Sequence, residues 1–362
     1  MGRIAGLETL GEAINFVKKD FLVAICGYYG YGNLGDELLV EGIVKLLEKE
    51  GIERREILVL SKTPEETERK LNTGAVDRND PIAVWKSLKK TKSFLLGGGG
   101  LFQDSTSLRS CFYYWGTIRM AEKAGCIPWA FGQSIGPLKR RLAEYLAFDA
   151  FRRCRVRVVR DRFSVEWLLK KGLDTGLAPD PAFALSGETG RSRRGGSILL
   201  NVRPWKNDLP EKTAAAVQEY ASRSGEKIIG VALSPEDERC MTDLQEKGII
   251  RFKEIRLVTS SNGAYKVWAD ASAAFGMRLH FCVLSVMMGH SCVAVPYDPK
   301  VSSFANEWHL PQWSGFGMLP ALEACDDDLP GRLAETRKAL TVTMRDTLEK
   351  VFPGRSKRSH EC

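Results

Sequence analysis

Short apolar runs rich in β-branched and aliphatic residues alternate along this chain with stretches of helical periodicity, and this alternation restricts the fold more than any other feature. Each run is too short for a helix of its own. Followed by an amphipathic segment, it reads as one βα unit, and a series of such units builds a parallel sheet covered by helices. Residues 21–26 read as the first strand and 37–49 as its helix, with Leu38, Leu39, Ile43, Leu46 and Leu47 at helical spacing. Segments 57–60, 93–96, 128–131 and 156–159 read as further strands, and 141–153 as a helix. Asp161 opens another helix, with Val165, Leu168 and Leu169 on its inner face, and Gly172 stops it.

The polar, glycine-rich stretch 186–196 has no periodicity and reads as a linker. A second set follows: strand 197–202, helix 211–223, strand 227–232, strand 271–275, an all-apolar helix 281–288 and strand 292–297. At 362 residues the chain is long for one core and comfortable for two. Two α/β halves, 1–186 and 187–362, are expected to face a cleft, where ligands usually sit.

Composition excludes several classes. No apolar run reaches the roughly 18 residues needed to cross a bilayer. Glu8, Glu12 and Lys18-Lys19-Asp20 precede the first strand, which is not a signal-peptide layout, so a cytoplasmic location is the default expectation. The nine cysteines form no CxxC pair; they read as buried, reduced thiols, and no metal site is expected. The net charge of +8 is gathered in runs: Lys86 with Lys89, Lys90 and Lys92; Lys139-Arg140-Arg141; Arg152-Arg153 with Arg155 and Arg157; and Arg355 with Lys357-Arg358. These read either as solvated helix faces or as attraction to anionic substrates or an anionic membrane surface. They lack interleaved aromatics, so nucleic acid is not expected as a partner.

Chemistry-bearing residues collect at strand ends. The loop Gly27-Tyr28-Tyr29-Gly30-Tyr31-Gly32-Asn33-Leu34-Gly35-Asp36-Glu37 joins the first strand to its helix, but its spacing is neither a dinucleotide fingerprint nor a P-loop. Asp36 reads as helix N-cap or as catalytic carboxylate. Gly97-Gly98-Gly99-Gly100, with Gln103 and Asp104 beyond, permits close approach by a ligand or by another part of the backbone. Gly132-Gln133-Ser134-Ile135-Gly136-Pro137 repeats the arrangement after the next strand. Arg160 ends a strand and either points into the cleft or pairs with Asp180, and Arg203 sits at another strand terminus.

Arg278, His280 and Lys300 form the sharpest cluster. A guanidinium and an ammonium at neighbouring strand ends suit a small phosphorylated carboxylic acid, and an imidazole beside such an anion suits a general acid. The remaining histidines, His290, His309 and His360, lack such company.

At these motifs the chain resembles the polysaccharide pyruvyl transferase family, and most closely its bacterial branch that modifies cell-wall polymers for S-layer attachment. The likeness rests on Gly27 to Glu37, Gly97 to Asp104, Gly132 to Pro137, Arg160 to Ser164, an APDPAF-like strand from Ala178 to Phe183, and Arg278 to Val301. It implies two Rossmann-like domains facing a cleft in the glycosyltransferase-B manner. Residues 1–186 would form the acceptor side and 187–362 the phosphoenolpyruvate side, with the basic C-terminal tail packing back on the first domain. It further implies phosphoenolpyruvate as co-substrate, no cofactor, and a lipid-linked saccharide as acceptor, with N-acetylmannosamine the residue that takes up a 4,6-ketal of pyruvate. The enzyme would then work in the cytoplasm or at the inner face of the membrane. Under that resemblance His280 and Asp36 are catalytic, and Arg278, Lys300 and Arg160 hold the donor; Arg203, from its own place at a strand terminus, is expected to join them. Gly32, Asn33, Gly99, Gly100, Gln103, Asp104 and Gln133 belong to the acceptor-side loops. Competing readings are a nucleotide-sugar glycosyltransferase of the same fold and a non-catalytic sugar- or anion-binding protein.

Overall fold

The computed structural model describes residues 20–104, 107–187, 196–269, 271–321 and 328–354. Its first sheet is built from β1 (Phe21–Cys26), β2 (Ile57–Ser61), β3 (Gly74–Asp77), β4 (Thr91–Leu96), β5 (Gly99–Phe102), β6 (Ile127–Ile135), β7 (Arg157–Val159) and β8 (Gly176–Leu177). Its helices are α1 (Leu34–Lys49), α2 (Pro64–Leu71), α3 (Pro81–Lys89), α4 (Arg109–Lys123), α5 (Arg141–Arg153) and α6 (Arg162–Lys170). The second sheet comprises β9 (Ser197–Asn201), β10 (Lys227–Ala232), β11 (Phe252–Leu257), β12 (Ala271–Gly276) and β13 (Cys292–Ala294). Its helices are α7 (Leu209–Ser224), α8 (Pro235–Glu246), α9 (Ser261–Trp268), α10 (Leu279–Met287), α11 (Pro299–Glu307) and α12 (Leu329–Val351).

All strand pairs are parallel. The orders are β3-β2-β1-β4-β6-β7-β8, with β5 beside β6, and β11-β10-β9-β12-β13. In each sheet the winding therefore reverses beside the first strand, between β1 and β4 and between β9 and β12. At such a switch point the two following loops diverge and leave a crevice at the carboxyl edge of the sheet. The segments that follow β1, β4, β9 and β12, loops together with the starts of the elements they enter, carry Asp36, Gly97 to Gly100, Arg203, and Arg278 with His280.

The halves are not separate beads. Leu34, Phe183, Phe281 and Trp308 belong to one buried cluster that runs through both. Phe183 stacks on Trp308 with ring centroids 4.9 Å apart. The Leu34 amide donates to the Leu233 carbonyl at 2.8 Å. Leu38, Leu39, Ile43, Leu46 and Leu47 of α1 are all buried, at about 1.5–3 kcal/mol for each side chain fully removed from water. The last helix, α12, returns to pack on α1, where Arg345 meets the buried Glu50 at 3.2 Å. The expected linker core, 188–195, and the basic tail 355–358 lie outside the described residues, as do Glu8, Glu12 and His360.

Three local expectations need correction. Helix α1 starts at Leu34 with Asn33 as its N-cap, so Asp36 lies in the first turn and is not the cap. The segment Ala178 to Phe183 is not a strand: Asp180 accepts the Ala182 amide and Pro181 has no amide to donate, which turns Pro181–Leu185 into a 3-10 helix. Strand β13 ends at Ala294 rather than at residue 297, and the parallel hydrogen bonding to β12 stops close by, with Val295 donating to Gly276.

Candidate active site

The first-half wall is shaped by a tyrosine folded inward. Tyr29 is fully buried, and its ring fills the space where side chains on Gly27 and Gly97 would stand. Packing of this ring is therefore one reason for glycine at the ends of both β1 and β4. Asn33 makes no side-chain cap; its amide donates instead to the Asp36 carboxylate. A Cβ on Gly99, whose φ is +119°, would come 3.1 Å from Asp36 Oδ1. Asp36 is thus held between the helix start and the glycine strand. Burial raises its pKa, while the charges of His280, Arg160, Lys300 and Arg278 pull the other way.

From the second half, His280 enters on the first turn of α10 and lies against Gly35. Its Nε2 is 3.6 Å from Asp180 Oδ2. Asp180 in turn takes Arg160 Nη1 at 2.6 Å, and Arg160 Nε donates to Ser134 Oγ at 2.8 Å. Burial works against the Asp180 charge, but Arg160 and His280 outweigh it and hold the carboxyl below the usual carboxylate range. Arg160 thus does both things considered for it: it pairs with Asp180 and it lines the cleft.

Arg278 is oriented by Asp237, a fully buried residue of α8. Arg278 Nε donates to Asp237 Oδ2 at 2.7 Å, and Nη2 to Asp237 Oδ1 at 2.6 Å and Ser234 Oγ at 2.7 Å. Desolvation opposes the Arg278 charge, yet the Asp237 bonds raise its pKa further. Asn201 completes the brace, accepting the Arg278 amide at 3.0 Å and donating to Asp237 Oδ2 at 3.2 Å. Lys300 stands at the second position of α11, its Nζ 3.7 Å from Asp298 Oδ2. Arg203 Nη1 donates to the Tyr297 hydroxyl at 3.0 Å, and Trp205 meets the Tyr297 ring edge-on at 4.7 Å.

These groups enclose one cleft of about 800 Å³, the size of a ligand site. It brings together Asn33, Asp36, Gly99, Gly100, Gln103, Arg160, Arg203, Arg278, His280 and Lys300. It does not include Asp104, Gln133 or Gly32. Asp104 is buried and accepts the amides of Lys139 and Arg140 at 2.8 and 2.7 Å, which anchors the loop after β6. Gln133 is buried within β6, where its carbonyl accepts the Arg160 amide at 2.9 Å. Gly32 is exposed and faces Pro235 of the other half.

Sequence reasoning missed the aromatic lining, Tyr28, Tyr114, Trp205 and Tyr297, and the orienting carboxylate Asp237. Tyr28 stacks on Tyr31 at 4.2 Å, both partly exposed, and tyrosines in a glycine loop are a signal that was available. Asp237 announces itself by nothing local, since it is one of three acidic residues in the first turn of α8, where a carboxylate is an ordinary helix-start charge. Among the described residues no cluster of three or more His, Cys, Asp or Glu is arranged to hold a metal ion. Burial pushes the Cys26 thiol up to about 11, away from nucleophilic duty.

Three solved structures illustrate the architecture. UDP-GlcNAc 2-epimerase from Methanocaldococcus jannaschii has a TM-score of 0.58 at 10% identity, over 90% of this chain and 99% of that one. The Neisseria meningitidis UDP-GlcNAc 2-epimerase gives 0.54 at 9% identity, over 91% and 99%. A glycosyltransferase from Rickettsia africae gives 0.52 at 9% identity, over 93% and 100%. At such identities the likeness speaks for the fold alone, two Rossmann-like halves in the glycosyltransferase-B arrangement. None of the curated protein sequences matches this chain. The family model described as polysaccharide pyruvyl transferase matches residues 33–299, from the Asn33 cap to the first residue of the Lys300 helix, and the chain belongs to that family.

Proposed function

We propose that this cleft moves the pyruvyl group of phosphoenolpyruvate onto two hydroxyls of one sugar residue, giving a 4,6-ketal and free phosphate. The acceptor in this reading is N-acetylmannosamine within a lipid-linked precursor of a cell-wall polymer of the S-layer-anchoring type. The observation that carries the reading is the single imidazole, His280, set among Arg160, Arg203, Arg278 and Lys300 in the same cleft as the carboxylate Asp36. Guanidinium and ammonium groups gathered in one cleft, two of them held in place by the buried carboxylates Asp180 and Asp237, suit a donor that carries both phosphate and carboxylate.

The chemistry follows from the groups. Protonation of the donor methylene by the His280 imidazolium turns C2 into an electrophilic, oxocarbenium-like centre. A sugar hydroxyl adds to C2 while Asp36 takes its proton; a carboxylate whose pKa is raised by burial is suited to that task. The bond from C2 to the phosphate oxygen then breaks, with Arg278 and Lys300 stabilising the departing charge. The second hydroxyl adds, its proton leaves to phosphate, and the ketal closes.

The decisive experiment combines the purified protein with phosphoenolpyruvate and a mannosamine-containing acceptor, following phosphate release and acceptor mass together. Phosphate release matched by a gain of one pyruvate less one water is expected. His280→Gln should abolish both while retaining fold and donor binding. Turnover by His280→Gln at the wild-type rate, or a product made only from a nucleotide sugar, would sink the reading.

A further inference from the structure

The surplus positive charge falls into two kinds once the fold is known. Arg152 and Arg153 are taken up by Asp149, Arg155 by the Val351 carbonyl, and Arg157 by the carbonyls of Cys154 and Asp174. Lys90 pairs with Asp20, and Lys89 lies over the Trp85 ring. Those six side chains serve the fold.

A second group does not. Helices α4, α5 and α6 each begin with an arginine: Arg109, Arg141 and Arg162. All three are exposed, as are Lys139 and Arg140 just ahead of α5. A cation at a helix N-terminus opposes the macrodipole, so helix stability does not account for this placement. Neighbouring acids account for little of it: α4 and α6 have none in their first turns, Glu144 of α5 is engaged by Lys171 at 2.5 Å, and Arg162 alone feels the charge of a carboxylate on another element, Glu307 of α11. None of the five cations is ion-paired among the described residues.

Beside each arginine stands an exposed apolar side chain. Phe112 follows on α4 at 45% exposure, Leu142 and Tyr145 on α5 at 45% and 56%, and Phe163 on α6 at 61%. The three helix starts follow β5, β6 and β7, so they share the carboxyl edge of the first sheet. The edge is continuous with the site, since Arg109 and Phe163 also line the cleft. It is also rigid: Asp104 fixes the Lys139 and Arg140 amides, and Phe163 lies against Gly136.

We propose that this basic and aromatic rim docks the protein on an anionic lipid bilayer. The five cations meet headgroup phosphates, and Phe112, Leu142, Tyr145 and Phe163 enter the interfacial layer. The cleft mouth then opens at the bilayer surface, where an acceptor carried on a lipid is presented; that last consequence rests on the function proposed above.

The test is co-sedimentation of the full chain with vesicles of one part phosphatidylglycerol to two parts phosphatidylcholine, against pure phosphatidylcholine. The protein should pellet with the anionic vesicles only, and less as salt rises. Each cation near such a surface strengthens binding about fivefold, so the double reversal Arg140→Glu, Arg141→Glu should weaken it at least about 25-fold. Neither residue lines the cleft, so turnover on a water-soluble acceptor should be unchanged. Leu142→Ser with Tyr145→Ser should weaken vesicle binding without altering its salt dependence. Equal pelleting with neutral vesicles, no pelleting at all, or binding indifferent to the double reversal would overturn the proposal. Vesicle binding without any pyruvyl transfer would leave docking standing and remove the proposed reaction.

Discussion

The imidazole of His280 occupies the space that a side chain on Gly35 would need, so the histidine of one half is seated directly on the first helical turn of the other. A Cβ at position 35 would meet Nδ1 and Cγ of that ring. The two halves are therefore in register at the proposed proton donor, and glycine is required there for space rather than for backbone freedom.

Gly35→Ala should displace the ring and misplace the proton donor. Turnover is expected to fall by about 100-fold, the scale of an ångström-size misplacement. Donor affinity, held by the cations, should change little. A variant with wild-type kcat would show that the ring tolerates the shift.

Arg278 depends on Asp237 for its orientation, and the two should fail in related ways. Arg278→Ala is expected to raise the donor KM at least about tenfold, through loss of a charge-assisted bond. Asp237→Asn keeps the cation but loosens its seat, so a smaller rise in donor KM is expected with the acceptor KM unchanged. Steady-state kinetics in both substrates separates these outcomes.

Asp180 compensates the Arg160 charge and faces His280. Asp180→Asn leaves a buried arginine unpaired, and a loss of about 3–5 kcal/mol is expected from denaturant unfolding. The pH dependence has a definite sign. The folded-state pKa of Asp180 is depressed, so its stabilisation is complete above the ordinary carboxylate value of about 3.9 and is lost as pH falls below it. Wild-type stability should drop on that acid limb, and Asp180→Asn should flatten the drop.

Glu37 works in the opposite direction. Burial raises its pKa from 4.5 to about 7, although the Gly30 amide donates to it at 2.8 Å. The folded chain then binds a proton that the unfolded chain lacks between those two values. Stability should fall as pH rises through that window, by up to about 1.4 kcal/mol per pH unit. Glu37→Gln keeps an acceptor for Gly30 and should abolish this slope in urea unfolding curves taken across the range.

Trp205 lines the cleft at 42% exposure, braced by Tyr297. A three-carbon acid has no ring to lay against it, so its face suits a pyranose. Trp205→Ala is expected to raise the acceptor KM about tenfold, the loss of an aromatic contact of about 1–1.5 kcal/mol, while leaving the donor KM in place. A rise in donor KM alone would assign Trp205 to the other substrate.

The amino-acid sequence determined the βα succession, the glycine-rich strand ends and the placing of His280, Arg278, Lys300 and Asp36 just past them. Periodicity and turn chemistry are local, and Phe21–Cys26, Arg141–Arg153 and Lys227–Ala232 have in the structure the bounds that their own residues predict. What each polar group faces is decided elsewhere. Asp237 meets Arg278, Asp180 meets Arg160 and His280, and Gly35 meets His280 only after the chain has wound two sheets and set one against the other. The positive runs divide in the same way: Arg152 and Arg153 find Asp149 one turn back on their own helix, whereas Arg119 reaches that carboxylate only because α4 packs on α5. Charge and apolar content are inscribed residue by residue, but pairing and desolvation arise between distant segments, and only the tertiary structure brings those together.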